Sequence, residues 1–307
     1  MTDVSASAVK ALREKTGAGM LDCRNALAES GGDMEKAVEL LRKKGLSSAS
    51  KKAGRIAADG TVACYTEGLS GCAIELNSET DFVARNEQFQ KLAAKIARAA
   101  LRADDNIENF KASKPQGFAA TIQDEIIEHI AKIGENISLR RAARISVQQG
   151  AVVQYIHSAI ADGMGKIGVL VALESSGDQT KLQAIGRQLA MHIAAAAPEA
   201  LDVSDLAATR VEKEKDILRE QSLASGKPPE VIEKMLEGRI RKFYEEVVLL
   251  EQIFIMDNKT KIGTVIDDFA KSLGSPVKLK GYIRFVLGEG IEKEEVDFAA
   301  EVASMQN

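Results

Sequence analysis

The stretch that decides the fold is GTVACYTEGLSGCAIELN, residues 60–77, in which two apolar runs flank a turn-like segment. TVACY and CAIELN contain the apolar and β-branched residues that favour strands, and the glycines and serine of residues 67–71 are typical of a hairpin turn. Downstream, apolar residues recur at the spacing of one helix face. They are Phe89, Leu92, Ala93, Ile96 and Ala100. The predicted order is therefore strand, turn, strand, helix.

A second unit of the same order follows later in the chain. ISVQQGAVVQYIH at 145–157 and IGVLVALE at 167–174 read as strands, joined by a turn that contains Asp162, Gly163 and Gly165. The apolar face of the next helix is formed by Leu182, Ile185, Leu189 and Ile193. The two units agree in order and apolar spacing but share little identity. An interpretation as related units and one as chance similarity therefore both stay open.

The remaining segments of the central region complete an α+β fold. An amphipathic helix that ends at Gly134 is marked by Ile122, Ile126, Ile130 and Ile133. Alternating apolar residues at 277–287 predict a strand, and residues 297–304 predict a closing helix. We expect two core subdomains, each with a small antiparallel sheet and helices. The predicted domains are core subdomain N at 60–149, core subdomain C at 150–204 and 251–290, and a C-terminal helical module at 291–307.

The first 45 residues predict a compact module of three short helices. Glycines at 17–19 and at 31–32 separate the helices, Asp33 can cap the third one, and Gly45 can end it. The following segment LSSASKKAGRIAAD, residues 46–59, is small, polar and basic. That composition is typical of a linker. We therefore expect module 1–45 to be semi-detached from the rest.

Residues 205–250 combine dense charge with an apolar seam. The seam positions are spaced alternately by four and three, as in a coiled coil. They are Leu236, Ile240, Phe243, Val247 and Leu250. Gly226 can end one helix and Pro229 can occupy the first position of the next. The sequence predicts an inserted antiparallel coiled-coil hairpin whose first arm, with Val211 and Leu218, has the weaker seam.

Composition limits the classes of function. The chain has 307 residues, of which 45% are hydrophobic and 28% charged, and these values are ordinary for a globular protein with more than one core. A net charge of -4 gives no global basic field for nucleic acid or anionic membrane. No run reaches the about 18 apolar residues of a membrane span, and the three cysteines form no CxxC pair. We expect a cytoplasmic protein that binds neither nucleic acid nor membrane.

A search for chemistry in the sequence yields no catalytic candidate. His129 and His192 fall within amphipathic helices, where a histidine is usually packed or on the surface. The glycine-rich residues 163–168 lack Walker spacing and join two strands, which favours a hairpin turn over a phosphate loop. Most carboxylates alternate with Lys and Arg as on solvated helix faces. We predict no catalytic residue, cofactor or metal, and a protein that acts by docking onto a partner.

One connection does not fit a purely structural interpretation. NSETDFVARN, residues 77–86, joins the second strand to its helix and contains an aromatic residue, Phe82. Either Phe82 or Val83 can act as a hydrophobic staple at the helix start, which the pattern alone favours somewhat. The alternative is a rigid connection that presents Phe82 to a partner as an interface anchor.

The chain resembles the elongation factor Ts family of bacteria and plastids. Seven ordered motifs, spread over nearly the whole chain, carry the resemblance. They are LREKTGAGMLDCRNAL at 12–27, KKAGRIAADG at 51–60, TDFVARN at 80–86, KIGENISLRR at 132–141, IGVLVALE at 167–174, SGKPPEVIEKMLEGRIRKFYEE at 225–246 and GEGIEKEEVDFAAEVA at 288–303. So many motifs in order make chance implausible.

The resemblance implies both a function and a fold. The family acts as guanine nucleotide exchange factor for the translational GTPase elongation factor Tu, in the cytoplasm or the plastid stroma. It has an N-terminal three-helix module similar to ubiquitin-associated domains, two core subdomains and a projecting helical hairpin. A homodimer or a 2:2 complex with the GTPase is compatible with the resemblance. A nucleotide-binding enzyme and an adaptor for ubiquitin-like domains are the rival functions.

The resemblance also implies the residues that contact the GTPase. In the family the TDFV motif, here Thr80, Asp81, Phe82 and Val83, meets the GTPase domain, and the aromatic ring enters between two helices and disturbs the magnesium and phosphate site. Further contacts carried over by motif are Lys10, Arg13, Met20, Arg24, Ile133, Gly134, His157, Ile255 and Met256.

One departure from the family pattern concerns the segment after YIH. The family usually continues closely with a glycine, a basic residue, isoleucine and glycine, whereas here SAIADGMG, residues 158–165, intervenes and is expected to lengthen the turn. His157 is therefore open to two interpretations, a partner contact or a strand-end residue bonded within its own subdomain.

Overall fold

A six-stranded antiparallel sheet lies at the centre of the computed structural model, which describes residues 4–223 and 229–292. The strand order is β3-β2-β1-β5-β4, and β6 also pairs with β5. The strands are β1 (Asp59–Glu67), β2 (Ser70–Ser78), β3 (Ile137–Ser146), β4 (Gly150–Ala161), β5 (Met164–Glu174) and β6 (Lys278–Val286). Both predicted hairpins, β1-β2 and β4-β5, and the strand after residue 277 are confirmed, and so is the α+β class.

The two hairpins are joined directly into one sheet, whereas the sequence predicted two small sheets. Val62 and Ala63 of β1 pair with Gly165 and Met164 of β5, and β6 continues along the same edge of β5. Gly168 of β5 makes this junction possible, because a Cβ there would lie only 2.6 Å from a methyl carbon of Val62. Backbone pairing between distant segments leaves no trace in local periodicity, so the hairpin patterns could not reveal it.

Helices cover the sheet in two groups, each with its own core. In the first group Phe89 and Ile96 of α5 pack with Ile126 of α7 against Ile74 of β2. In the second group Leu189 of α8 is buried together with residues of β4 and β5. The helices are α4 (Asp81–Ala84), α5 (Glu87–Ala100), α6 (Ile107–Ala112), α7 (Ile122–Ile133), α8 (Gln179–Ala196) and α11 (Ile262–Leu273). The repeated order of hairpin followed by helix is confirmed.

The N-terminal helices form a separate small core, as predicted. They are α1 (Ala6–Thr16), α2 (Met20–Glu29) and α3 (Met34–Lys52). Leu12, Cys23 and Leu27 are fully buried within this core. The prediction that α3 ends at Gly45 is wrong, because the helix continues to Lys52. Gly45 is buried where α3 approaches α7.

The close approach of α3 to α7 explains the longer helix. A Cβ built on Gly45 would lie 3.4 Å from the Cβ of Ala131, so this position of α3 packs against α7 and does not end the helix. The Arg42–Asp124 ion pair, at 3.5 Å, spans the same contact. Residues 46–52 of the predicted linker are consequently helical. The domain boundaries themselves stay predictions.

The charged segment forms two helices that run in opposite directions, α9 (Ala208–Leu223) and α10 (Pro229–Val247). Arg210 lies over the ring of Phe243, and Arg239 donates to Gln221, so residue numbers rise along one helix as they fall along the other. Leu236 and Phe243 are buried, as the seam predicts. Leu250 is not part of the seam, because α10 ends at Val247 and Leu250 packs against the second core.

Two predicted features fall on residues outside the described ranges. The break predicted at SGKPP, residues 225–229, lies outside them except for Pro229, where α10 begins as predicted. The closing helix at 297–304, and with it most of the module at 291–307, lies beyond residue 292. Within the described ranges, no helix has the length and apolar character needed to cross a bilayer.

Candidate functional site

The four-residue helix α4 presents Phe82 to solvent. The Phe82 side chain is 79% exposed, the highest value for a large apolar side chain among the described residues. Its neighbour Val83 is 6% exposed and packs into the first core. The staple interpretation is therefore wrong for Phe82, whereas Val83 anchors α4. Val83 offers little surface to a partner, and its predicted place among the partner contacts stays a prediction.

The backbone around α4 is fixed by hydrogen bonds on both sides. Arg85 N–H donates to the carbonyl of Phe82 at 3.2 Å, and Asn86 N–H donates to that of Val83 at 2.9 Å. Asn86 then caps α5 by accepting from two backbone N–H groups. Asp81 forms an exposed ion pair with Arg85, at 3.6 Å. Phe82 thus projects from an ordered turn, and Asp81 lies beside it on the surface.

The end of α7 lies against the residues that precede α4. Gly134 has a left-handed backbone, with φ of 92°, and its N–H donates to the carbonyl of Ile130 at 2.9 Å, which ends the helix. The next residue, Glu135, accepts hydrogen bonds from Thr80. Ile133 is partly buried against the first core. The structure therefore brings the predicted Ile133 and Gly134 to the same corner as Thr80 and Phe82.

The predicted residues of the N-terminal helices are exposed on α1 and α2. Met20 is 63% exposed, and Lys10, Arg13 and Arg24 also lie at the surface. Leu21, which the sequence did not single out, is 67% exposed beside Met20 and enlarges the apolar surface. The three N-terminal helices are held to the rest of the protein by the packing of α3 against α7.

The segment after His157 extends the β4-β5 hairpin rather than its turn. β4 runs on to Ala161, the connection has only Asp162 and Gly163, and β5 begins at Met164. The expectation of a lengthened turn is therefore wrong, because the added residues pair as strand and Met164 also pairs with β1. His157 itself is exposed on β4, with its Nδ1 3.2 Å from the Tyr155 hydroxyl.

Ile255 and Met256 are exposed on a loop that a buried histidine supports. Their side chains are 36% and 43% exposed, directly after the buried Phe254. The Ile255 N–H donates to Nδ1 of His192 at 3.3 Å, and Nε2 of His192 lies 2.9 Å from the amide oxygen of Gln252. This arrangement requires a neutral imidazole with its proton on Nε2. His192 is thus packed, as predicted, and it orients the loop that carries Ile255.

Acidification is expected to weaken the fold through His192. Burial lowers the pKa of His192 below its ordinary value of 6.5, so the unfolded chain binds this proton first as the pH falls. The stabilisation is present above about pH 6.5 and is lost as the pH falls toward the folded pKa. Thermal unfolding at pH 7.5 and pH 5.5 should show a lower melting temperature in acid. His192→Gln should reduce this difference, and an unchanged difference would contradict the prediction.

Two further groups considered for chemistry have structural roles. The glycine-rich segment is a hairpin, as predicted, and the Gly163 carbonyl accepts from Cys64 N–H at 2.8 Å. Burial raises the pKa of the Cys72 thiol to about 12 and that of Cys64 as well, so both thiols are protonated at neutral pH. Protonated, buried thiols are inert as nucleophiles.

Sequence patterns missed the polar groups that support the exposed residues. Glu135 lies 55 positions from Thr80, and Gln252 lies 60 positions from His192. Neither residue belongs to an apolar pattern. The one local signal is Gly134, whose left-handed conformation ends α7 and places the following residues in a new direction.

An exposed aromatic on a short, well-anchored helix, with further exposed apolar side chains elsewhere, is typical of proteins that dock onto other proteins.

Comparison with known proteins gives the family. A family model described as Elongation factor TS matches residues 79–289. The chain therefore belongs to the elongation factor Ts family and is a translation elongation factor.

Curated relatives extend the similarity over the whole chain. Elongation factor Ts of Rhodospirillum centenum is 56% identical over 305 residues, which cover 99% of each chain. Elongation factor Ts of Paramagnetospirillum magneticum is 54% identical over 304 residues, 99% of this chain and 97% of the relative. That of Rhodospirillum rubrum is 53% identical over 305 residues, again 99% of each chain.

Proposed function

We propose that this protein binds elongation factor Tu in its GDP-bound form and promotes release of GDP, after which GTP can bind. The exposure of Phe82 on α4 supports this proposal most directly. The ring enters between two helices of the GTPase domain and disturbs the magnesium and phosphate site. The Phe82 side chain is 79% exposed in the free protein, so binding in an apolar pocket removes its apolar surface from water. Burial of apolar surface contributes favourably to the free energy of binding.

Exchange of this kind requires thermodynamic coupling rather than covalent chemistry. A protein that binds the nucleotide-free GTPase more tightly must weaken nucleotide binding by the same free energy. One linked contact typically contributes about 1 to 3 kcal/mol, so several contacts must act together. We therefore assign no catalytic residue, cofactor or metal to this chain, and the protein is an exchange factor of the cytoplasm.

The remaining exposed residues supply the other contacts of the proposed complex. Asp81 and Thr80 accompany Phe82, and Ile133 with Gly134 borders the same corner. The N-terminal contacts, on a module similar to ubiquitin-associated domains, are Lys10, Arg13, Met20 and Arg24. The contacts of the later subdomain are His157, Ile255 and Met256. A homodimer or a 2:2 complex would bring two such surfaces to two GTPases.

Release of a labelled nucleotide tests the proposed function directly. Elongation factor Tu loaded with fluorescent GDP is mixed with this protein and excess unlabelled GDP, and the fluorescence decay is followed. The expected result is a release rate that rises with the concentration of this protein and saturates. The proposal fails if the rate stays at its spontaneous value while the two proteins form a complex.

The α9-α10 hairpin is expected to be dispensable for exchange. Its contacts between Arg210 and Phe243 are internal, and its base is closed by bonds from Glu199 and Ala200 N–H to the carbonyl of Val247. We propose that this hairpin is a coiled coil that acts in assembly or stability. Replacing residues 214–239 with a short glycine-containing turn should therefore leave GDP release within about twofold of the parent.

The shortened protein must fold for this comparison to be valid. The retained Arg210–Phe243 contact keeps the base of the hairpin intact, and circular dichroism with thermal unfolding verifies the fold. A folded variant that binds elongation factor Tu without accelerating GDP release would show that the hairpin takes part in exchange.

A further inference from the structure

Two glutamates tie the loop before α4 to the end of α7 in a reciprocal manner. The Glu135 carboxylate accepts from Thr80 N–H at 3.0 Å and from the Thr80 hydroxyl at 2.7 Å. The Glu79 carboxylate accepts in return from Asn136 N–H at 2.6 Å. Each segment thus supplies a carboxylate to the backbone of the other. Bonds to an ionised acceptor are the strong class of hydrogen bond in proteins.

The bond to Glu135 replaces the usual cap of α4. Thr80 occupies the position before α4, where a threonine hydroxyl ordinarily accepts from a backbone N–H inside the helix. Here the hydroxyl donates to Glu135 instead. A helix of four residues cannot hold its own direction, because nucleating a single turn is unfavourable. The direction of α4, and of Phe82 on its surface, therefore depends on contacts with the rest of the chain, among them the burial of Val83 in the first core and the bonds of Thr80 to Glu135.

We propose that Glu135 is a positioning residue for nucleotide exchange, which holds Thr80 so that the ring of Phe82 points into the GTPase. This inference rests on the proposed function. It concerns the orientation of Phe82 rather than the ability of the chain to fold, since other contacts keep the loop in place. Glu79 also binds Arg55 at 3.5 Å, and the Asn136 side chain donates to the Arg55 carbonyl at 2.8 Å.

A double-mutant cycle in the full-length protein tests the inference. The variants are Glu135→Ala, Thr80→Val, Phe82→Ala and the combination of Glu135→Ala with Phe82→Ala, each assayed for the maximal release rate of fluorescent GDP from elongation factor Tu. Loss of two charge-assisted bonds should lower that rate about fivefold to tenfold in Glu135→Ala. Thr80→Val removes one donor at nearly constant shape and should lower the rate about threefold.

The decisive result is the combined variant. If Glu135 acts through Phe82, Glu135→Ala should change the rate less than about 1.5-fold once Phe82 is alanine, because residues acting as a unit are not additive. If the fold-change of the combined variant equals the product of the two single fold-changes, the proposal is overturned. That result would indicate that Glu135 contacts the GTPase itself. The proposal would also be overturned if Glu135→Ala and Thr80→Val both release GDP at the rate of the parent protein.

Controls separate positioning from stability and from the proposed function. Glu108→Ala removes an exposed glutamate of α6 that pairs with Lys111, and should leave the rate unchanged. Thermal unfolding of Glu135→Ala should stay close to that of Glu108→Ala. Should Glu135→Ala unfold early, Thr80→Val combined with Phe82→Ala takes its place in the cycle and decides the matter by the same criterion. If Phe82→Ala releases GDP at the parental rate, the proposed function of Phe82 is wrong. If Phe82→Ala is slow but Glu135→Ala and Thr80→Val are not, only the positioning role of Glu135 is wrong.

Discussion

Replacing Phe82 with alanine is expected to slow GDP release from elongation factor Tu tenfold or more while leaving thermal unfolding near that of the parent protein. The ring is 79% exposed, so its removal takes little packing from the fold. An interface anchor lost from a complex typically costs about 2 to 4 kcal/mol, and about 1.4 kcal/mol corresponds to a tenfold change. The loss should therefore fall on the complex rather than on the free protein.

A second phenylalanine of the same region provides the matched control. Phe89 lies seven positions further on and is fully buried in the first core. Phe89→Ala should cost about 3 to 5 kcal/mol of folding free energy and lower the melting temperature clearly. Asp81→Ala should slow release less than Phe82→Ala, because an exposed ion pair such as Asp81–Arg85 contributes little.

The outcome that contradicts this prediction is equally clear. Phe82→Ala would have to melt many degrees lower, as Phe89→Ala is expected to, while its folded fraction releases GDP at the parental rate. Melting curves and release rates measured on the same preparations distinguish the two results.

Local patterns predicted the elements of this fold because each element carries its own periodicity. The apolar residues of α5 and α7 recur at helical spacing, and the hairpin of β1 and β2 is bounded by a glycine-rich turn. Their burial follows from that spacing alone. The error at Gly45 has the same origin. A glycine after a helical run signals a helix end, but the partner helix that accommodates it is distant in sequence.

The exposure of the candidate site could be inferred only in part. Phe82 and Val83 are adjacent in a helix too short for any period, so the pattern could not say which of them is buried. The choice depends on where α4 is held. Thr80, just before α4, is bonded to Glu135 in the connection between α7 and β3, and that residue is distant in sequence. Contacts between distant polar groups have no spacing rule, and this is why the residues that support Phe82 and Ile255 were missed.

A buried carboxylate in β2 illustrates the same limit and leads to a large expected effect on stability. The Glu75 side chain is fully buried. It accepts from Arg140 at 3.1 Å, from Arg141 at 2.6 Å, from the Asn77 amide at 3.0 Å and from Gly288 N–H at 2.8 Å. These bonds link β2 and β3 to the segment that follows β6. Nothing in the strand pattern around Glu75 predicts them.

The protonation state of Glu75 follows from the balance of these interactions. Burial by itself would raise its pKa, but the Gly288 N–H, the Asn77 amide and Arg141 outweigh burial, and the pKa lies below its ordinary value of 4.5. Because the folded pKa is the lower one, the ionised group stabilises the fold above the unfolded value. That contribution is lost as the pH falls below about 4.5 toward the folded pKa.

Glu75→Ala is expected to destabilise the protein by about 3 to 5 kcal/mol, because it removes the buried acceptor of the Gly288 N–H and leaves two partly buried arginines with Glu289 as their remaining carboxylate neighbour. For a chain of this length the melting temperature should fall on the order of 10 °C. Glu67→Ala is the matched control, since Glu67 lies at the end of the neighbouring strand with its side chain 57% exposed and pairs with Arg102. It should change stability by less than about 1 kcal/mol.

Glu75→Leu tests whether the lost interaction is ionic or steric. Leucine restores much of the volume but accepts no hydrogen bond, so it should be destabilising as well, since the Gly288 N–H and the Asn77 amide lose this acceptor and the two arginines lose one of their carboxylates. A leucine variant as stable as the parent would show that Glu75 contributes packing only.

The hydrogen bonds of Glu75 hold the segment after β6 rather than α4. The folded fraction of Glu75→Ala should therefore release GDP within about twofold of the parental rate. A folded Glu75→Ala that fails to accelerate GDP release would instead show that the bonds of Glu75 help to position Phe82.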